Sequence, residues 1–248
     1  MNLKKLLPVA LALYCVSNNA YSDAIKAEGM KYGVTIESSR IIYPLNSRGV
    51  SVSVFNPQAY PILVNSRVLD EERKKTEQFF VTPPLFRLDA EQKYTLRVTH
   101  TGEGFPDDRE SLFWYCSKGI PPKADDLWVD DNGTVKNEAQ NIGITINVSI
   151  DNCIKLIVRP EKLERDSLTA SKISWKIVDG KLIGYNPTSF YINLGKVMFN
   201  GEELRTDYIP PKGEKAFPLS RGTPKTGNVI WREIDDYGSL GAPLTKDI

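Results

Sequence analysis

Apolar residues recur at alternate positions along almost the whole chain, in short runs closed by proline, glycine or asparagine. Val50, Val52 and Val54 alternate up to Asn56-Pro57, and Val34 and Ile36 alternate before them. Successive side chains of a strand point to opposite faces, so a period of two marks half-buried β-strands. The same pattern runs through PILVNSRVL (61–69), QFFVT (78–82), YTLRVT (94–99) and SLFWYC (111–116), then KISWKIV, KLIGYN, FYINLGKVMF and NVIWREI. No long segment keeps a helical period. Many short strands separated by turn signals pack as antiparallel sandwiches, so the chain is expected to be all-β. The charged stretch EKLERDSL after Arg159-Pro160 breaks the alternation and reads as a linker, which divides the chain into 23–160 and 161–248. Each part is long enough for a sandwich.

Residues 1–22 read as a secretory leader. Lys4 and Lys5 precede an apolar run from Leu6 to Val16, and Ala20 and Ser22 suit a cleavage after Ser22. The run is too short to span a bilayer, and no later stretch approaches eighteen apolar residues, so an exported, soluble protein is expected. Cys15 goes with the leader, leaving Cys116 and Cys153. An even pair in an oxidising compartment most simply forms one disulfide. The bridge would close a loop worth about 4 kcal/mol on the chain-entropy model.

Charge and motif content exclude several functions. The formal net charge is +1, and losing Lys4 and Lys5 makes it −1, which argues against binding nucleic acid through a basic face. His100 is the sole histidine, so sites needing two histidines are excluded, and it reads as an exposed strand-end residue. No phosphate-binding GxxxxGK[ST] loop occurs. Asp125, Asp126, Asp130 and Asp131 precede Gly133 without the alternate spacing of an EF-hand and read as a solvated loop. Asn132 and Asn147 stand in glycosylation sequons, relevant only in a glycosylating pathway. No cofactor, metal or small-molecule substrate is expected.

One strand stands apart. In NIGITINVSIDNCIKLIVRP, Ile142, Ile144, Ile146, Val148 and Ile150 share one face, and Ile154, Leu156 and Val158 continue it. The stripe extends roughly 50 Å at about 3.3 Å per residue, several times the usual strand. Either it packs wholly within its own core, or its first half overhangs the domain and offers an apolar edge to another chain.

The segments DRESLFWYCSKGIPPK (108–123), IKLIVRP (154–160), YNPTSFYIN (185–193) and IDDYG (234–238) resemble the PapD-like periplasmic chaperones of the chaperone/usher pathway, over about Gly33 to Gly238. The cysteine pair and the long loop between its members resemble the branch that serves thin or capsule-like fibres. The resemblance implies two immunoglobulin-like sandwiches set at an angle around a cleft. It also implies a periplasmic, non-enzymatic protein that lends a strand to an incomplete fibre subunit and delivers it to an outer-membrane usher. On this reading Ile142, Ile144, Ile146, Val148 and Ile150 form the donor strand, and Gly143 loosens its free end. Val34 and Ile36 form a short N-terminal edge strand against the subunit's other groove edge. Arg40 and Lys155 grip the subunit's C-terminal carboxylate, and Glu110, Arg159 and Asp236 hold the two domains at a fixed angle. An exposed stripe also raises the question of self-association in the free protein.

Two other classes compete. A secreted adhesin or carbohydrate-binding module would use an aromatic platform such as Trp114 or Trp128. A secreted hydrolase would need His100 or the pair Asp107/Asp108 beside a nucleophile, and nothing in the sequence places one there.

Overall fold

The computed structural model describes residues 27–121, 144–165 and 169–248; the leader and most of the acidic loop therefore lie outside the described residues. Eleven strands build the first half: β1 (Ala27–Tyr32), β2 (Thr35–Ile36), β3 (Arg40–Pro44), β4 (Val50–Phe55), β5 (Ile62–Leu69), β6 (Phe79–Thr82), β7 (Leu85–Leu88), β8 (Lys93–His100), β9 (Ser111–Ile120), β10 (Ile144–Ser149) and β11 (Asp151–Arg159). A 3-10 turn at Thr169–Lys172 opens the second half. It is followed by β12 (Ser174–Val178), β13 (Lys181–Asn186), β14 (Ile192–Phe199), β15 (Glu202–Leu204), β16 (Tyr208–Ile209), β17 (Gly213–Pro218), β18 (Asn228–Glu233) and β19 (Leu244–Asp247).

The first unit is a sandwich of a β2-β4-β8-β6 sheet on a β3-β11-β9-β5-β7 sheet. The second stacks β12-β13-β17 on β15-β14-β18-β19, with β16 added to β14. The all-β expectation holds, and the alternation explains it residue by residue. In β5, Ile62, Val64, Ser66 and Val68 are buried while the residues between them are partly exposed. Ser66 tolerates this position because its hydroxyl pairs with Ser117 Oγ at 2.9 Å, and Ser117 in turn donates to the Tyr115 hydroxyl. Val52, Val54, Leu96, Val98, Leu156 and Val158 fill the same core. A separate core around Trp175, Leu182, Ile192, Phe199, Phe217 and Trp231 supports the second unit.

Each unit has an asparagine-proline corner, of which the sequence marked the turn at Asn56-Pro57 but not the bonds of the buried side chain. Asn56 is fully buried and its side-chain amide donates to the carbonyls of Tyr60 (2.9 Å), Leu88 (3.2 Å) and Asp89 (2.9 Å), while its Oδ1 accepts from the Gln58 N–H (3.1 Å). Asn186 does the same with Phe190 (2.7 Å), Ile209 (3.3 Å), Pro210 (3.0 Å) and the Thr188 N–H (3.0 Å). Asn56-Pro57 and Asn186-Pro187 thus nail corresponding turns. Proline sets the turn, and the asparagine side chain satisfies the carbonyls around it.

The long stripe is one extended run with a change of partners. β10 pairs with β1 in parallel, Ile144 opposite Ala27 through Ser149 opposite Tyr32. At Ile150 the N–H donates to Tyr32 O (2.7 Å) and the carbonyl accepts from Gly119 (3.1 Å). From Asp151 the chain pairs with β9 on one side, and from Lys155 also with β3 on the other. Gly119 is required where β1 crosses β9, since a Cβ there would sit 2.5 Å from the Tyr32 carbonyl. His100 is half-buried rather than exposed: its ring meets Tyr43 and Phe105 edge-on, at 5.5 and 5.7 Å between centroids.

Candidate functional site

Where the stripe leaves the first sandwich it is open to solvent. Leu156 and Val158 are core residues and Ile154 packs against the core, whereas Ile146 is 52% and Val148 44% exposed. Ile150 lies between these extremes. Ile144 continues β10, and Ile142 lies outside the described residues. Among the described residues, β10 pairs with β1 alone, which leaves its other edge with unpaired N–H and C=O groups. An unpaired edge beside an apolar stripe is a template for another strand. Ile36, with Val34 just before it, lies on β2, the edge strand of the β2-β4-β8-β6 sheet, while both side chains pack inward. Val34 is fully buried and Ile36 packs against the core, with Thr35 and Ile36 paired to β4. The strand beside β10 is β1, which the sequence reading missed because AEGMKY carries no apolar alternation.

Arg40 and Lys155 are cross-strand partners at the start of the β3–β11 ladder, at the junction of the two units. The hydrogen bonds each makes are to neutral groups. Arg40 Nη1 donates to Ile234 O (3.2 Å), and its Nε is buried without a partner. Lys155 Nζ donates to Asn193 Oδ1 (2.6 Å) and stands 4.7 Å above the Tyr208 ring. Burial holds Arg40 below its ordinary range, against the pull of Asp236 and Asp235. Lys155 is pushed down to about 8, chiefly by burial, against Asp207 and helped by Arg40 and Lys215. Two adjacent, partly desolvated cations with a donor to spare have the chemistry to bind an anion, since a carboxylate could accept from both in the strong charge-assisted mode.

The structure brings Glu110, Arg159 and Asp236 together between the units. Arg159 Nε donates to Glu110 Oε1 (2.6 Å) and Nη2 to Asp236 Oδ1 (3.0 Å). Glu110 is only 2% exposed; its Oε2 accepts from the Tyr191 N–H (2.7 Å) and its own N–H donates to Ser189 O (2.9 Å). Burial pushes the Glu110 carboxyl up, opposed by the charge and hydrogen bonds of Arg159. Burial also works against the Arg159 charge, but Asp236 and Glu110 outweigh it and hold the guanidinium above its ordinary value.

Sequence reasoning missed two further ties. Arg165, inside the charged linker, donates to Glu233 and lies 5.2 Å from the Phe190 ring. Glu71, in the turn after β5, accepts from the hydroxyls of Tyr191 and Tyr208, both at 3.0 Å. Charged turns and linkers read as solvated surface, and nothing local marks Glu71 as reaching across the junction or Arg165 as tying the linker to the second unit. Cys116 and Cys153 are bridged, joining directly opposed positions of β9 and β11. Trp114 offers no open platform: its Nε1 donates to Glu71 O (3.1 Å) and the Arg73 guanidinium covers its ring at 4.0 Å.

Comparison with known proteins places this geometry. Residues 33–164 match the pili and flagellar-assembly chaperone PapD N-terminal domain, and residues 169–242 the pili assembly chaperone PapD C-terminal domain. Chaperone protein caf1M of Yersinia pestis is 48% identical over 94% of this chain and 92% of its own length. MyfB of Yersinia enterocolitica, also named a chaperone protein, is 38% identical over 90% and 86%. Among solved structures, the Salmonella enterica SafB chaperone in complex with the SafA pilin is similar with a TM-score of 0.77 and 34% identity. That likeness covers 90% of this chain and all of the other.

Proposed function

The chain belongs to the PapD family of pilus-assembly chaperones, and from this premise we propose that it captures an incomplete fibre subunit in the periplasm by lending it β10. The observation that carries the proposal is the continuity of β10 with β11: one run of chain bears both the exposed Ile146/Val148 stripe and, after the turn of partners at Ile150, Lys155 of the cation pair. The stripe residues Ile142 through Ile150 would fill the groove left by the subunit's missing strand, each burying about 1.5–3 kcal/mol of side chain. The free edge of β10 would complete the subunit's hydrogen bonding. Arg40 and Lys155 would bind the subunit's C-terminal carboxylate, and Glu110, Arg159 and Asp236 would keep the angle between 23–160 and 161–248. Residues 1–22 would direct export and be removed. The role is binding rather than catalysis, and the loaded chaperone would pass its subunit to an outer-membrane usher.

Periplasmic co-expression with the secreted β-rich polypeptides encoded beside it tests this. The tagged protein and its Arg40→Ala and Lys155→Ala variants are recovered and weighed intact by native mass spectrometry. A one-to-one complex lost in both variants is expected. A stable protein with no bound subunit, or binding indifferent to both cations, refutes the reading.

A further inference from the structure

We propose that Glu71 is a positioning residue for the Lys155 anchor: from a rigid turn of the first unit it clamps Tyr208 of the second, holding that ring beneath the Lys155 ammonium. The inference rests on the reading of Lys155 as an anchor.

The clamp begins with a turn that has no freedom to drift. Asp70 O accepts from the Arg73 N–H (3.0 Å), the Asp70 N–H donates to Lys74 O (2.9 Å), and Arg73 sits at φ 63°. This is the three-residue hairpin loop closed by a left-handed residue, here with Asp70 Oδ1 accepting an extra bond from the Lys74 N–H (2.7 Å). Trp114 ties the turn to β9 through its bond to the Glu71 carbonyl, and Arg73 packs on the same indole. The carboxylate therefore projects from a fixed base.

It lands on two tyrosines already packed against each other, with ring centroids 5.5 Å apart. Around them Leu112, Ile157, Ile42 and Trp114 of the first unit form a shared apolar cluster with Tyr191 and Tyr208 of the second. Glu71 uses one oxygen for each hydroxyl. These bonds fix the Tyr208 ring in place, and a phenol that donates to a carboxylate has a more electron-rich face. That face lies 4.7 Å from Lys155 Nζ and 5.7 Å from Lys215 Nζ. Lys215 is held back by Asp207 at 2.5 Å, so the ring's attraction acts chiefly on Lys155. Glu71 does not touch the ammonium; it acts through the ring.

A double-mutant cycle separates this from simple support of the fold. Glu71→Ala, Glu71→Gln and Tyr208→Phe are each made in the native and Lys155→Ala backgrounds. The probe is a synthetic peptide matching the C-terminal strand of the subunit recovered by co-expression, with a free or an amidated C-terminus. Glu71→Ala and Tyr208→Phe should each weaken the free-carboxylate peptide by about three- to tenfold in the native background and leave the Lys155→Ala background unchanged. The Lys155 methylene resonances, shifted by the Tyr208 ring current, should move toward those of an exposed lysine in Glu71→Ala. Glu71→Gln keeps the shape of the turn and carries the test if the alanine variant fails to fold. Equal losses in both backgrounds, or unmoved methylene resonances, overturn the proposal. If Lys155→Ala itself leaves binding intact, it is the anchor reading that fails, and the resonances alone still decide whether Glu71 positions the ring.

Discussion

On the proposed reading of Arg40 and Lys155 as a carboxylate anchor, the affinity of this chaperone for a subunit ending in a carboxylate should fall as the pH rises from 7 to 9, because Lys155 loses its charge there. Burial pushes Lys155 in the free protein down to about 8, so the ammonium form makes up about nine-tenths of the molecules at pH 7 and about one-tenth at pH 9. If only that form binds, the apparent dissociation constant rises in inverse proportion to its population, about tenfold over the two pH units. The surroundings do not blur this step. Asp207 is held below its ordinary range despite partial burial by its bonds from Lys215 and the Tyr208 N–H, and stays ionised. Burial and Glu71 keep Tyr208 well above its ordinary value and neutral. Arg40, although lowered by burial, is a guanidinium and stays charged. Stability should move in the opposite direction. The unfolded chain holds the Lys155 proton to higher pH than the folded one, so the folded free protein gains stability between about pH 8 and 10.5. Calorimetric titration of the C-terminal peptide across this range measures the first effect, and Lys155→Arg should flatten it. A flat profile in the native protein, or an equal slope in the arginine variant, would refute the reasoning.

Three other outcomes follow from the same geometry. Replacing Val148 by Asp should leave the free protein's unfolding free energy, from urea curves, within about 0.5 kcal/mol of native, because that residue is 44% exposed, yet abolish subunit capture in the pull-down. Glu110→Ala strands a buried amide and leaves Arg159 with Asp236 alone, so chemical denaturation should register a loss of about 3–5 kcal/mol, or a single transition splitting into two. Cys153→Ser should lower stability by about 4 kcal/mol through the freed loop, read from the same urea curves against a reduced native control.

What the sequence made legible is what obeys a period. The sandwiches follow from alternation, and Leu156 and Val158 fall in the core while Ile146 and Val148, on the same face, fall outside it, because β9 and β3 flank only the later part of the run. Nothing in the pattern itself says where the sandwich ends. β1 escaped notice for the converse reason: a strand held by backbone bonds at an edge needs no apolar alternation, and Lys31 and Gly29 are exposed within it. Val34 and Ile36 alternate because their side chains pack on their own core, while the backbone of β2 stands at the edge of its sheet. Glu110, Arg159 and Asp236 were readable only through family motifs, since ion pairs between residues this distant leave no local trace. Glu71 and Arg165 had no such motif: Glu71 reaches the other unit, and Arg165 finds Glu233 only once the second unit has folded.

The buried charges at the junction have a geometric rather than an energetic rationale. Desolvating Glu110, Arg159 and Arg165 gains little net stability, and well-packed apolar groups would serve a junction at least as well. A donor strand, however, can slip along its groove. Moving it by one residue turns the stripe away, but moving it by two restores the faces and shifts the register by about 6.6 Å. Only an anchor fixed relative to the stripe forbids the second slip, because a carboxylate displaced that far is out of hydrogen-bond reach of Lys155. Lys155 lies seven residues beyond Val148 on the same extended run, so its distance from the stripe is set by the backbone. Its direction is set by Asn193 and Tyr208, which belong to the other unit. On the proposed anchor reading the angle between the units is therefore part of the ruler, and directional polar contacts hold an angle where apolar packing would tolerate sliding.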